Sequence, residues 1–146
     1  YDPVDGSISS TPIRGTDHDM FCPGTAVLAN GKIMIMGGST QTRVSIYDPS
    51  DGPSEFDKWS RGEEMHIARG YQSATVLSDG SVFTVGGSWN IDLVYTGHKD
   101  AEVWNATQNK WIEKFGIQGD DLATDDNQDY HAWLFQADNG RIFHAG

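Results

Sequence analysis

Cysteine is almost absent from this sequence, with one residue, Cys22, in 146. A single cysteine excludes a disulfide within the chain, so this thiol is free, buried, paired with another molecule or used in less usual chemistry. Basic residues are also few, because 10 Lys and Arg stand against 21 Asp and Glu, for a net charge of −11. No basic run is available to neutralise phosphates, which argues against nucleic acid and anionic membranes as partners.

Long apolar runs are missing as well, since no stretch approaches the roughly 20 residues that a membrane-spanning helix needs. The 37% share of hydrophobic residues and the 11% share of aromatics are nevertheless enough to build a core. The length suits one domain. The chain starts with Tyr and ends in strand-like residues 141–146, so we expect it to belong to a longer protein, called here the full-length protein.

Three segments align without a gap and indicate an internal repeat. They are residues 22–38, 71–87 and 131–146, and each reads as a strand, a tight turn, a strand and a final glycine. The turns are centred on Asn-Gly or Asp-Gly dipeptides at residues 30–31, 79–80 and 139–140. Such dipeptides predict two-residue type I′ hairpins, in which both central residues have positive φ.

A second pattern recurs between the hairpins and predicts two more strands in each unit. Residues 44–48 lead to Trp59, and residues 101–105 lead to Trp111. Four strands in about 50 residues, with Gly-Gly after the second strand, are typical of a kelch-type propeller blade. We therefore predict an all-β fold, a partial kelch β-propeller of the seven-bladed type with about three four-stranded blades, which does not close.

The repeat also predicts where the blades begin and end. Residues 1–3 echo residues 47–49, which suggests that the chain opens in the outer half of a preceding blade. No helix is expected, because glycines bracket the only candidate, residues 63–69, too closely. The predicted parts are the outer half of a blade (1–21), one blade (22–70), a second blade (71–130) and the inner hairpin of the next blade (131–146).

Three residues hold equivalent positions eight places before the turns, namely Cys22, Tyr71 and His131. Because innermost strands line the channel of a propeller, we expect these side chains near one mouth of that channel. A thiol, a phenol and an imidazole there suit redox or metal chemistry. Spacing alone favours the alternative, three ordinary buried side chains. Trp89, on a glycine-loosened loop, is either functional or a packing residue between blades.

Four motifs follow one another along the chain. They are His-Asp-Met-Phe-Cys-Pro-Gly (18–24), Ala-Arg-Gly-Tyr-Gln-Ser (68–73), Gly-Gly-Ser-Trp (86–89) and His-Ala-Trp-Leu-Phe (131–135). Together they resemble the galactose oxidase family of copper-radical alcohol oxidases. The resemblance implies a thioether between Cys22 and an ortho ring carbon of Tyr71, with Tyr71 as an equatorial copper ligand and the radical site. It also implies that the Trp89 indole stacks over the thioether and shields the radical.

Two departures from the family pattern bear on the chemistry. The two copper-binding histidines and the axial tyrosine of the family come from later propeller segments, and none of the five histidines here occupies those motifs. Where galactose oxidases carry a substrate-binding Arg, four residues before His131, this chain has Asn127, whose amide lacks forked charged donors. We place His131 and Asn127 near the site, with galactose, a related carbohydrate or another primary alcohol as substrate.

Two functions of different classes follow from these features. The first is a secreted oxidase that uses copper and a Cys-Tyr radical to convert primary alcohols and O2 into aldehydes and H2O2. The glycosylation sequon at residues 105–107 mildly favours secretion. The second is a non-catalytic kelch propeller that binds proteins or carbohydrates, with Cys22 and Tyr71 as unreactive core residues. We expect no turnover from the 146-residue chain alone.

Overall fold

The computed structural model describes residues 1–10, 12–54, 56–88, 91–92, 99–118 and 132–145. These residues form ten β-strands and no helix, and so contain no helix that could span a membrane. The strands are β1 (Gly24–Val27), β2 (Ile33–Met36), β3 (Val44–Tyr47), β4 (Trp59–Arg61), β5 (Ser73–Val76), β6 (Val82–Val85), β7 (Asp100–Asn105), β8 (Lys110–Gln118), β9 (Trp133–Gln136) and β10 (Ile142–Ala145).

The strands are arranged in two antiparallel four-stranded sheets and one hairpin. The sheet orders are β1-β2-β3-β4 and β5-β6-β7-β8, and β9 pairs with β10. Strand β1 contacts β5, and β5 contacts β9, so the first strands of the three units lie side by side, as innermost strands do in a propeller. The predicted all-β, unclosed partial propeller is confirmed. The blade boundaries stay predictions, and no strand forms within residues 1–10 and 12–21.

The hairpin turns differ from the predicted type I′ turns. In the first hairpin the Leu28 N–H donates to the Lys32 carbonyl, and the Gly31 N–H donates to the Leu28 carbonyl. The loop therefore has three residues rather than two. Gly31 has a φ of 83°, whereas Asn30 does not have a positive φ. This is a type I turn followed by a left-handed glycine.

The side chain before each turn glycine explains the difference. Asn30 Oδ1 accepts a hydrogen bond from the N–H two residues ahead, at 3.2 Å. Asp79 and Asn139 do the same at 2.9 Å and 3.1 Å. An Asx side chain stabilises a local turn in this way. The prediction of two-residue type I′ turns is therefore wrong at all three hairpins, although the hairpins themselves form where expected.

Two apolar clusters hold the units together. The smaller one contains Phe83, Val85 and Ala101, against which Leu134 and Ile142 of the last hairpin pack. In the larger one, Trp111 is 3% exposed, and its indole N–H donates to the Glu63 carbonyl at 2.8 Å. This bond fastens the second sheet to the segment that follows the first. The larger cluster consists of Ala26, Leu28, Met34, Met36, Val44, Met65, Val82 and Trp111.

Candidate functional site

Cys22 and Tyr71 lie next to each other at equivalent ends of β1 and β5. The Tyr71 N–H donates to the Cys22 carbonyl at 2.9 Å. Each residue precedes the first residue of its strand by two positions, so both lie just outside the strands in which the sequence placed them. Both are partly buried. The structure thus brings together the backbones of the two residues that the repeat offset indicated.

Both residues adopt a left-handed backbone conformation, with φ of 58° at Cys22 and 61° at Tyr71. For residues other than glycine, this conformation costs roughly 1–2 kcal/mol each. It persists only where the surroundings impose it, and such positions cluster at functional sites. The same strained conformation occurs at equivalent positions of two units. Surrounding contacts must therefore maintain it in each unit.

The Gly-Gly pair after β2 connects the two strained segments. The Gly38 N–H donates to the Arg69 carbonyl, and the Ser39 N–H donates to the Phe21 carbonyl, each at 3.0 Å. A Cβ on Gly38, whose φ is 99°, would lie 2.5 Å from the Phe21 carbonyl oxygen. Only glycine permits this approach. The pair therefore holds the residue before Cys22 close to the segment that carries Tyr71.

The equivalent loop after β6 is bonded to the residue that precedes Tyr71. The Ser88 N–H donates to the Gly70 carbonyl at 2.8 Å. This bond holds the start of the Gly-Gly-Ser-Trp loop beside the residue that precedes Tyr71. Trp89 itself lies outside the described residues, so its shielding role stays a prediction.

His131 and Asn127, the other two predicted site residues, also lie outside the described residues. The described chain resumes at Ala132, whose N–H donates to the Ser73 hydroxyl at 2.6 Å. Ser73 is the first residue of β5, two positions after Tyr71. The segment that follows the predicted His-Ala-Trp-Leu-Phe histidine is therefore fastened to the strand that leads away from the tyrosine.

His18 ties the segment before Cys22 to the first sheet. Its Nε2 lies 2.7 Å from the Gly37 carbonyl oxygen, and its Nδ1 lies 2.8 Å from the Ser45 hydroxyl. A carbonyl only accepts, so Nε2 carries the proton and Nδ1 accepts from Ser45. Burial lowers the pKa of His18 below its ordinary value of 6.5, against the opposing effect of the Gly37 carbonyl. The folded state therefore favours the neutral ring.

Acidification is expected to weaken this attachment. Unfolded His18 takes up a proton near pH 6.5, whereas the folded protein resists protonation, so the contribution to stability is complete above that pH and falls below it. In urea unfolding of the full-length protein, the wild type should lose stability more steeply than His18→Gln between about pH 7 and pH 5. Parallel pH profiles would contradict this expectation.

Comparison with known proteins places the site in context. No family model matches the chain. Two curated galactose oxidases from Gibberella zeae are each 38% identical to it over 151 aligned residues, which cover 100% of this chain. The chain is galactose oxidase-like over its whole length. It spans 21% of the length of these relatives.

Solved structures agree with this assignment. A structure described as a novel fungal alcohol oxidase of the AA5 family, in complex with copper, has a TM-score of 0.72 and 35% identity. It covers 86% of this chain, which matches 25% of that one. The structure of YjhT has a TM-score of 0.60 at 18% identity, with 89% and 35% of the two chains covered, and shows the fold alone. The galactose oxidase resemblance of the four motifs is confirmed.

The described residues of this galactose oxidase-like chain could supply only part of a copper site. Among the described residues, no three His, Cys, Asp or Glu side chains form a group that could hold a metal. His18 is engaged with the first sheet, and His66 Nδ1 lies 3.2 Å from Glu113. The Tyr71 phenol oxygen is of a donor type that suits Cu(II), which takes nitrogen and oxygen ligands. Within the described residues, Tyr71 is thus the donor that the family resemblance assigns to copper, with Cys22 beside it.

Sequence reasoning missed a buried ion pair close to Tyr71. Arg69 and Glu102 are both 0% exposed at their side chains, and Arg69 Nη2 lies 3.1 Å from Glu102 Oε2. The third strand of the repeat could have indicated this pair, because Glu102 occupies the position that Ser45 has in the first unit. A carboxylate that replaces a small residue at a fully buried strand position needs a cation, and Arg69 in the tyrosine motif was the nearby candidate.

Proposed function

We propose that the full-length protein is a copper-dependent oxidase that converts primary alcohols into aldehydes with O2 and releases H2O2. The observation that carries the proposal is the backbone hydrogen bond between Cys22 and Tyr71, both held in a left-handed conformation at equivalent repeat positions. Similarity to galactose oxidases and to a copper-containing fungal alcohol oxidase supports it. Because the chain spans about a fifth of its curated relatives, the activity belongs to the full-length protein.

The proposed cofactor forms from two side chains of this chain. The Cys22 S–H bond and one C–H bond ortho to the Tyr71 hydroxyl break, and a C–S bond forms. The two electrons and two protons that are released reduce one O2 to H2O2, so atoms and electrons balance. The backbone hydrogen bond between the two residues supports this step, because it holds their main chains next to each other. Covalent bond formation requires the reacting atoms to be held near van der Waals contact.

Each residue of the pair has its own proposed role. The Tyr71 phenolate oxygen holds the copper, and the Cys22 sulfur on the ring makes the phenol easier to oxidise. When bound, copper supplies one-electron redox chemistry, which the ring complements to remove two electrons from the alcohol. Tyr71 is partly buried. Trp89 covers the ring, a role supported by the Ser88 bond to Gly70 that holds the start of its loop.

The substrate is a primary alcohol, which loses two electrons and two protons to O2 as it becomes an aldehyde. Asn127 and His131 lie near this substrate in our proposal. Since a neutral amide replaces the family's guanidinium at Asn127, the site has no bidentate charged donor for sugar hydroxyls at that position. Galactose, a related carbohydrate and a simpler primary alcohol are therefore all candidates.

We further propose that the full-length protein is secreted. The sequon at residues 105–107 supports this, because Asn105 ends β7 and Thr107 is exposed. The Asn105 Oδ1 accepts from the Thr107 N–H at 3.0 Å, in a turn at the sheet edge. A surface turn of this kind can receive a glycan in the secretory pathway.

Copper-loaded full-length protein is expected to consume O2 and to yield aldehyde and H2O2 in equal amounts from primary alcohols. The panel should contain galactose, other sugars with a free primary hydroxyl, and aliphatic and benzylic alcohols, with matched secondary alcohols as controls. The 146-residue chain alone should give no peroxide, since the family resemblance assigns it one copper ligand, Tyr71. Full-length protein that binds copper but oxidises no member of the panel would contradict the proposal and favour a non-catalytic binding propeller.

A further inference from the structure

The segment that leads into Tyr71 is held by a buried guanidinium. Arg69 Nη1 donates to the Gly86 carbonyl at 2.6 Å, and Nη2 donates to the Asp100 carbonyl at 2.7 Å and to Glu102 at 3.1 Å. These acceptors lie on the Gly-Gly loop after β6 and on β7. One side chain therefore connects the tyrosine segment to two other elements of the second sheet.

Glu102 also binds the backbone of this segment. Its Oε1 accepts from the His66 N–H at 2.7 Å, and its Oε2 accepts from the Ile67 N–H at 3.2 Å. Lys99 adds a bond from its Nζ to the Ala68 carbonyl at 2.5 Å. The segment from residue 66 to residue 69 is thus fixed to β7 and to the residue before β7, immediately before the left-handed turn at Tyr71. A left-handed conformation of this kind persists only where several surrounding contacts impose it.

The first sheet contains an uncharged counterpart of this attachment. His18 contacts the Gly37 carbonyl and Ser45. Gly37 and Gly86 are 49 residues apart, as are Ile35 and Thr84, the strand partners of Ser45 and Glu102. The same two positions are therefore contacted in both units, by His18 before Cys22 and by Arg69 before Tyr71.

A gain in folding stability does not explain why the attachment in the second sheet uses a charged pair. A buried ion pair is often no more stable than apolar residues of the same volume, because both charges lose their hydration. What the guanidinium adds is geometry, since its planar fork directs several N–H groups in fixed directions. The segment before Tyr71 must orient an aromatic ring toward its partner, whereas the segment before Cys22 presents only a small thiol. The first of these needs the more exact orientation.

We propose that the Arg69–Glu102 pair is a positioning device for thioether formation, which fixes residues 66–70 so that the Tyr71 ring faces the Cys22 sulfur. The inference rests on the proposed function, because it presupposes that the two side chains become joined. Arg69 touches neither reacting atom. It acts through the backbone that leads to Tyr71, and its removal slows bond formation more than the accompanying loss of stability explains.

The test follows thioether formation in full-length protein that is prepared without copper and then given copper and O2. The linked peptide is quantified by mass spectrometry over time. Arg69→Met combined with Glu102→Gln removes both charges and keeps an acceptor for the His66 N–H. This variant should form the link at least about tenfold more slowly than the wild type, since small misplacements of reacting atoms have large effects on rate. Arg69→Lys keeps the charge without the fork and should also be slower.

A matched control separates positioning from stability. Met34 is 1% exposed in the larger apolar cluster, so Met34→Ala lowers stability without touching the Arg69 network. It should form the link at close to the wild-type rate. Wild-type rates in the folded double variant or in Arg69→Lys would overturn the positioning role. Absence of the link in the wild type would instead overturn the proposed function, so the two failures are distinguishable.

Discussion

Replacing Cys22 with Ser in the full-length protein is expected to lower kcat/KM for alcohol oxidation by at least about a hundredfold, or roughly 2.7 kcal/mol of barrier at 1.36 kcal/mol per decade. The change removes the sulfur that, in our proposal, makes the Tyr71 ring easier to oxidise. It alters one atom at a partly buried position, so the fold should survive. Steady-state O2 uptake on protein of verified copper content measures the effect.

Tyr71→Phe is the control that separates the two roles of the pair. It removes the phenol oxygen, which is the proposed copper ligand, so it should weaken copper binding in addition to abolishing activity. Cys22→Ser should leave copper binding close to that of the wild type, because sulfur is not the proposed ligand. Unchanged kcat/KM in Cys22→Ser would show that the thiol takes no part in the reaction.

Arg69→Met is expected to destabilise the domain by roughly 3–5 kcal/mol, the usual effect of removing one partner of a buried ion pair. Glu102 is 0% exposed, so its carboxylate would remain buried without a counter-charge. The Gly86 and Asp100 carbonyls would also lose their donors. Urea unfolding of the full-length protein gives the free energy of unfolding directly.

Two comparisons test the cause of that destabilisation. Adding Glu102→Gln to Arg69→Met should recover most of the lost stability, because no unpaired charge remains buried. The partly exposed pair of Lys32 and Asp48, whose side chains are 39% and 18% exposed, offers a control nearer the surface. Lys32→Met should change stability by less than about 1 kcal/mol. A double variant as unstable as Arg69→Met alone would show that the carbonyl contacts, rather than the charge, dominate.

The repeat made most of the fold predictable. Gapless hairpins and the recurring third strand predicted two four-stranded units, and both sheets form at those positions. The turn type was wrong because an Asn-Gly dipeptide is compatible with two hairpin geometries. The side chain of Asn30 decides between them by binding the Lys32 N–H. That choice depends on local hydrogen bonding, which the dipeptide alone does not determine.

The candidate site was predictable only in part. Equal offsets from the turns predicted that Cys22 and Tyr71 are neighbours, because equivalent residues of neighbouring blades lie side by side. Their left-handed conformations were not predictable, because such φ values are rare in non-glycine residues and depend on tertiary contacts. The Arg69–Glu102 pair was missed for a related reason. Its members lie 33 residues apart, and charged residues are almost never fully buried unless paired.

The most direct test of this account is the mass of the peptides that contain Cys22 and Tyr71 in copper-treated full-length protein. We predict a single linked species about two hydrogens lighter than the sum of the two peptides, as loss of the S–H and ring C–H hydrogens requires. The link should resist thiol reductants, because a thioether is not a disulfide. Two separate peptides of unmodified mass after copper and O2 treatment would contradict the account.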